Sequence, residues 1–467
     1  MDSSTKKLLS GSMVYFVGNA LTQLISLLLM RFVTGNITPE EYGYFNLVTT
    51  VSNLVIPFVT LQIADAVFKF VLKAEDDRQR KTYFTICFAV CLASVALIMI
   101  IPFGISALIV PVPHTTLVAL YVASSAMFAV YQKIVRCLNK NKVFVEANLI
   151  KTLIFILLEI LLISKLDLGV EALLIANIVS TVFVLIYAEC RVHALAYVDI
   201  RLARWDTFGE MMRFSVPLIP NAVFWWLTSS VNNVIVSARL GMDVNGIYTV
   251  SNKFSGVLNM VISVINMSWQ DTAVADYGRA HFDTFLTKTF NTFVKLVFSA
   301  TAVMIPFVAV VLPYMVDPQY YGAIPYAPFL LLCSSISALS GFLAQIYTGK
   351  GETKTLLDTS MAAMVANVSV ILLLIGKMGL WAAVVGTLAS DAALVLSRGF
   401  FARKEFARGI HWGGFALIGL MLIVGFLLYF LAQPLWNLIW LFVSVAVALV
   451  VNRHFVKDVF TVLLRKK

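Results

Sequence analysis

Residues 83–109 read YFTICFAVCLASVALIMIIPFGISALI, twenty-seven consecutive positions without a charged side chain. As an α-helix rising about 1.5 Å per residue, such a run is roughly 40 Å long and more than covers the hydrocarbon core of a bilayer, about 30 Å thick. Water is absent at that depth, so the peptide groups must bond one another, and a helix does this within a single segment. The two ends differ. Arg78, Arg80 and Lys81 crowd one, whereas Val110 to Pro113 close the other without a charge.

The pattern recurs on both sides. Apolar runs near 8–32, 43–67, 83–109, 116–138, 144–164, 170–191, 214–238, 245–269, 288–314, 326–348, 356–376, 379–400, 412–431 and 435–452 give about fourteen predicted spans. The composition agrees: 60% of the 467 residues are apolar and only 13% charged, about half the usual charged fraction of a soluble domain. A soluble enzyme is excluded. The first run is too long for a signal-peptide core and is kept as a span.

Basic residues collect at alternate loops. The N-terminus, the loops after even-numbered spans and the C-terminus hold 28 of the 35 Lys and Arg, while the opposite loops hold Arg31, Lys165, Arg239 and Lys377. Positive charge marks the cytoplasmic side, so both termini are expected there. The net charge of +10 is this asymmetry, divided among loops rather than gathered in one nucleic-acid-binding stripe. The five cysteines, Cys87, Cys91, Cys137, Cys190 and Cys333, lack the paired spacing of a disulfide framework or zinc site and read as small buried hydrophobes. No glycine-rich phosphate loop or metal-binding His pair is present, so catalysis has no visible home.

A weak repeat organises the spans. Gly169-Val170-Glu171-Ala172 and Ser180 align with Gly379-Leu380-Trp381-Ala382 and Ser390 at an offset of 210, and Asn19 and Gly43 align with Asn221 and Gly246 at 202 and 203. Six spans is an even number, so the halves enter the membrane in the same direction, as parallel repeats. The expected organisation is a six-helix half over 1–192, a cytoplasmic linker over 193–213, a second half over 214–402, and two added helices with a tail over 403–467.

Polar residues follow helical spacing. Asn245, Asn252, Asn259 and Asn266 recur every seven residues in span eight, and Asn221, Trp225, Thr228, Asn232 and Arg239 form a stripe in span seven. Spans one and two repeat the theme with Asn19, Thr22 and Ser26 and with Asn46, Thr49 and Asn53. Single amides of this kind serve as interhelical glue worth about 0.6–2 kcal/mol; four stripes on related spans favour a water-filled central cavity. Charge at depth costs about 2.5–3.5 kcal/mol per residue on insertion scales, which singles out Lys151, Lys253 and Lys295. Lys69 and Arg239 lie near span ends, and Lys253 about two turns from its span's start, so all three have snorkelling as the alternative. Among embedded acids, Asp65, Glu159, Asp271 and Asp391 are candidates for ion coupling, with permanent ion pairs as the plain alternative. Asp65 is favoured because Lys69 follows one turn later.

Arg31-Phe32-Val33 followed by Pro39-Glu40-Glu41-Tyr42-Gly43-Tyr44 resembles the signature of Wzx-type polysaccharide flippases in the MATE/MOP exporter superfamily. Gly246-Ile247-Tyr248, Lys253, Ser268-Trp269-Gln270 and the pair Asp65 and Lys69 are similar to matching stretches of that family. Asp271 departs from it, standing where proline is usual. The resemblance implies an all-α V-shaped bundle with two six-helix repeats and two extra helices. It implies alternating access through a cationic cavity that carries an undecaprenyl-diphosphate-linked oligosaccharide outward across a bacterial cytoplasmic membrane, for O-antigen, capsule or teichoic acid export. No cofactor is implied beyond coupling to protons, sodium or the membrane potential; partners would be the lipid-linked substrate, membrane lipids and polysaccharide polymerase or assembly proteins, not nucleic acid. Substrate contacts are expected from Lys253, Lys151, Lys295, Lys69, Arg31, Arg239, Asn19, Asn221, Trp225, Asn232, Asn252 and Asn259. The alternatives are a peptidoglycan-precursor (lipid II) flippase, a MATE-type small-solute antiporter and, more distantly, a membrane polymerase or glycosyltransferase, although the outer loops are short for an active site.

Overall fold

The computed structural model describes residues 27–108, 111–166, 168–277, 282–350, 352–406, 412–431, 433–453 and 457. Most of the first predicted span, Asn19 included, lies outside them. Among the described residues the regular structure is helical, without a strand. The chain runs α1 (Met30–Asn36), α2 (Pro39–Val59), α3 (Ile63–Leu72), α4 (Asp77–Leu108), α5 (Thr115–Cys137), α6 (Asn141–Leu166), α7 (Val170–Val192), α8 (Trp205–Ser215) and α9 (Ile219–Leu240). It continues through α10 (Met242–Ser251), α11 (Lys253–Asp276), α12 (Phe282–Met315), α13 (Ala327–Lys350), α14 (Thr353–Met378), α15 (Trp381–Ala402), α16 (Trp412–Leu431) and α17 (Pro434–Val451). Eight described helices are long and apolar enough to cross a membrane, and α2 and α3, which pass the same test together, are bent by 56° as a broken span or a re-entrant loop. The protein is a multi-pass membrane protein.

Contacts gather residues 36–237 into one compact unit, and 27–35 with those from 238 onward into a second. In the first unit α4 packs on α5, α5 on α7 and α6 on α7; in the second α12 packs on α13, α13 on α15 and α14 on α15. Helix lengths repeat too: 32, 23, 26 and 23 residues in α4 to α7 against 34, 24, 26 and 22 in α12 to α15. Pro102 inside α4 has its counterpart 204 residues on, in Pro306 inside α12. The duplication is therefore a duplication of helices and of their packing. The added pair α16 and α17 lies on α12, where the Asn452 amide donates to Ser299 Oγ at 3.1 Å.

Local chemistry explains where helices begin and break. Thr38 caps α2 in a capping box with Glu41, and Pro39 follows at the first helical position, where its missing N–H costs nothing. Between α2 and α3, Leu61 and Gln62 are both left-handed at φ 51, an arrangement costing about 1–2 kcal/mol per non-glycine residue. Span eight divides at Asn252 into α10 and α11, and the Asn252 amide donates to the carbonyl of Tyr248 at 3.2 Å. Pro217 and Pro220 occupy a 3-10 turn and the first turn of α9. Four cysteines are buried as expected, whereas Cys190 is exposed on α7.

Candidate functional site

The bend after α2 turns α3 so that Asp65, Phe68 and Lys69 meet α5 and α8. Lys133 on α5 donates to Asp65 at 2.6 Å. The Lys133 ammonium lies 5.9 Å from the centre of the Phe68 ring, and the Arg136 guanidinium, one turn further along α5, lies 5.4 Å from it. Arg136 also stands 5.9 Å from the Phe144 ring on α6. Lys69 turns to the other flank, 3.7 Å from the centre of Phe214 and 5.3 Å from that of Phe70. Deeper along α5, Gln132 donates to Asn148 at 2.8 Å, and Lys151 lies 4.3 Å above Phe128.

Lys133 and Arg136 thus share the Phe68 ring, while Lys69 stands on the other flank of α3 and Lys151 on α6, each with an aromatic ring beneath it. A cation over a ring gains about 0.5–2 kcal/mol without losing its charge. Among the described residues Asp65 is their one carboxylate within 4.0 Å, and it serves Lys133. The nearby acids are committed elsewhere. Glu146 takes the Tyr187 hydroxyl at 2.7 Å and pairs with Arg191 at 3.6 Å, while Glu189 accepts from Tyr131 at 2.5 Å and from the amides of Ala194 and Leu195. The cluster therefore keeps a surplus of positive charge, with the Gln132 and Asn148 amides alongside. Such a surface holds an anion with several acceptor oxygens.

Of the residues singled out in the sequence, Asp65 meets Lys133, Lys69 packs on Phe214 and Lys151 on Phe128. The partner of Asp65 is Lys133, not Lys69, because Lys69 is drawn to Phe214 instead. Lys133 and Arg136 were hidden among the basic residues expected at the cytoplasmic end of span four; their spacing of three beside Gln132 was the available signal. Glu159 is buried on α6, Asn232 is buried on α9, and Asn221 is exposed there. The Trp225 and Asp271 side chains lie outside what is described.

In the second unit, Lys253 opens α11 just after the Asn252 break and is half-buried, as is Lys295 on α12. Arg239 is exposed near the end of α9. Asn259 is exposed and donates to Ser334 of α13 at 3.3 Å. Arg31 donates to the carbonyl of Val316 and lies 3.9 Å from Asp317. Asp391 is buried on α15, with Ser337 of α13 hydrogen-bonded to it. Seven residues on, buried Arg398 donates to Ser340 O at 2.9 Å, Ser360 Oγ at 2.8 Å and Thr359 Oγ1 at 3.3 Å. That residue too had been counted among loop charges.

A model of the family described as polysaccharide biosynthesis protein matches residues 8–269. No curated protein sequence matches the chain. Among solved structures the fold is similar to lipid II flippase MurJ in an inward closed conformation, with TM-score 0.72 and 14% identity over 97% of this chain and 100% of that one. A multidrug resistance MATE family transporter of the MOP superfamily is similar in its inward-facing conformation, with TM-score 0.59 and 15% identity over 86% and 98% of the two chains. An outward-facing conformation of such a transporter gives 0.55 and 15% over 88% and 94%.

Proposed function

Because the chain belongs to the polysaccharide biosynthesis protein family and has the fold of MOP-superfamily carriers, we propose that it is a flippase for an undecaprenyl-diphosphate-linked oligosaccharide. It moves its cargo from the cytoplasmic to the outer leaflet by alternating access, with both termini cytoplasmic. The observation that carries this reading is the pair Lys133 and Arg136 over Phe68, flanked by Lys69 and Lys151 on neighbouring rings, with Asp65 the one carboxylate in ion-pair range of these four cations among the described residues. A diphosphate offers two negative charges and many acceptor oxygens, which suit these cations and the neighbouring amides. Sugar rings present C–H faces that pack on aromatic side chains such as Phe68, Phe128 and Phe144. In the second unit, taken by itself, Lys253, Lys295, Arg31 and Arg239 remain candidates for cargo contact; Asp391 there and Glu159 in the first unit remain candidates for ion coupling. A site for a cationic drug would reverse the balance, with acids in excess.

The test is transport in proteoliposomes carrying a fluorescent prenyl-diphosphate oligosaccharide, scored by its exposure to a membrane-impermeant quencher. The wild type should equilibrate the cargo across the bilayer, and Lys133→Ala combined with Arg136→Ala should slow it at least ten-fold. A peptidoglycan precursor offered in parallel separates the two lipid-linked cargoes. Failure to move either lipid, together with uptake of an organic cation against a gradient, would overturn the reading.

A further inference from the structure

On the first unit, away from the cationic cluster, the surface of α4 is hollowed into a trough of about 560 Å³. Its floor exists because Ala89 and Ala93, one turn apart, are small and exposed where their neighbours are large. Phe58 and Val59 at the end of α2, with Leu61 of the left-handed break, form one wall, Leu97 closes the far end, and Ala203, Arg204, Trp205 and Phe208 form the mouth. From Ile86 to Leu97 the trough follows α4 for eleven residues, roughly 16 Å, which is about one leaflet of a 30 Å hydrocarbon core.

The mouth has the chemistry of a membrane interface. Trp205 stands out at 86% exposure beside Arg204, the residue pair that settles at headgroup level. Arg204 is exposed on the trough's rim, and among the described residues it has no ion-pair partner within 4.0 Å. Arg201 is exposed three residues earlier. This stretch is held to α4 by Asp199, whose amide donates to Thr85 Oγ1 at 2.9 Å and whose carbonyl accepts from it at 3.2 Å. The amphipathic α8 continues from the mouth with Met211 and Ser215 buried. Positive charge at one end of a leaflet-deep apolar trough is complementary to one molecule shape, an anionic head on a single-leaflet chain.

We propose that the trough binds one acyl chain of an anionic phospholipid from the leaflet on the basic face, with its phosphate at Arg204. A long polyprenyl tail exceeds one leaflet, so this site is separate from that of any lipid-linked cargo. The lipid tail packs against Leu61 and thus buttresses the break between α2 and α3.

Native mass spectrometry of the intact protein, titrated with phosphatidylglycerol and with phosphatidylcholine of identical chains, tests the assignment. The wild type should retain one phosphatidylglycerol with at least five-fold preference. Ala93→Phe, an outward-facing substitution, should weaken retention of it about ten-fold, and Arg204→Gln should equalise the two headgroups. Equal retention of both lipids by the wild type overturns the proposal, as does unchanged phosphatidylglycerol binding by both Ala93→Phe and the backup variant Ala89→Phe. One-for-one displacement of phosphatidylglycerol by undecaprenyl phosphate would give the trough to the cargo tail instead.

Discussion

A side chain at position 169 would collide with Glu41, since a Cβ there would lie 1.7 Å from Glu41 Oε1. That carboxylate caps two helices at once: Oε2 accepts from Thr38 N at 3.0 Å at the start of α2, and Oε1 accepts from Val170 N at 3.3 Å at the start of α7. Gly169→Ala should displace the Glu41 carboxylate and destabilise the protein by about 1–2 kcal/mol, the worth of a lost cap. The mechanism is checked by thermal unfolding of Glu41→Ala, Gly169→Ala and the double variant in detergent. Loss of one shared cap makes the double variant no less stable than Glu41→Ala alone, whereas additive losses would refute it. Both motifs stood out in the sequence, but nothing in their spacing said that they touch. The same holds for the cluster. Lys151 and Asp65 were legible because charge is costly at depth, yet Lys133 and Arg136 sit where basic residues are ordinary, and only packing shows which way such long side chains turn. At this scale the sign of charge is testable as well. Asp65→Asn removes the cluster's one carboxylate and should strengthen binding of a diphosphate several-fold, while Lys133→Ala should weaken it, read by equilibrium binding of a labelled prenyl diphosphate. Equal weakening by both would make Asp65 a positioning residue for Lys133.

Helices were readable from hydropathy alone, because long uncharged runs admit no other structure in a membrane. Their breaks were less so. Pro57 lies inside α2, but the bend falls at Leu61 and Gln62, whose left-handed backbone has no marker in residue type. Gln62→Gly should relieve one strained residue and raise stability by about 1 kcal/mol, measured as an upward shift in thermal unfolding. A fall in stability would mean that contacts of the Gln62 side chain hold the break. Likewise, the repeat was visible as matched glycines, whereas the anchoring of α1 was not. Asp317 N donates to Thr34 Oγ1 at 3.0 Å and Gln319 donates to Thr34 O at 2.6 Å, so residues nearly three hundred positions apart share one polar junction. Arg31, singled out as a substrate contact, belongs to that junction through Val316 and Asp317. The motif carrying Arg31 thus has a structural use that spacing along the chain does not reveal.

For the whole molecule, orientation and energy follow from the same charges. Because 28 of the 35 basic residues fall at or beyond alternate ends of the predicted spans, an impermeant thiol reagent on intact cells should label Thr38→Cys and spare Ser3→Cys in a cysteine-free background; the reverse pattern would invert the orientation. Given that orientation, a cargo with about two negative charges moving outward across an inside-negative membrane gains about 4.6 kcal/mol per 100 mV, if the carrier's own charges stay in place. The loaded step then needs no ion gradient. On the proposed function, return of the empty carrier would be the costly half, because Lys69, Arg136 and Lys151 would lose an anionic partner while their aromatic contacts stayed. Asp65 is held by Lys133 at 2.6 Å, and whether that pair is permanent or is loaded on each return is what the gradients decide. Proteoliposomes with the potential, the proton gradient and the sodium gradient imposed one at a time separate these roles. An inside-negative potential alone should accelerate outward movement, and Asp65→Asn should keep that dependence. If only a proton gradient drives turnover and Asp65→Asn abolishes it, Asp65 is the coupling acid and the potential is not the driving force.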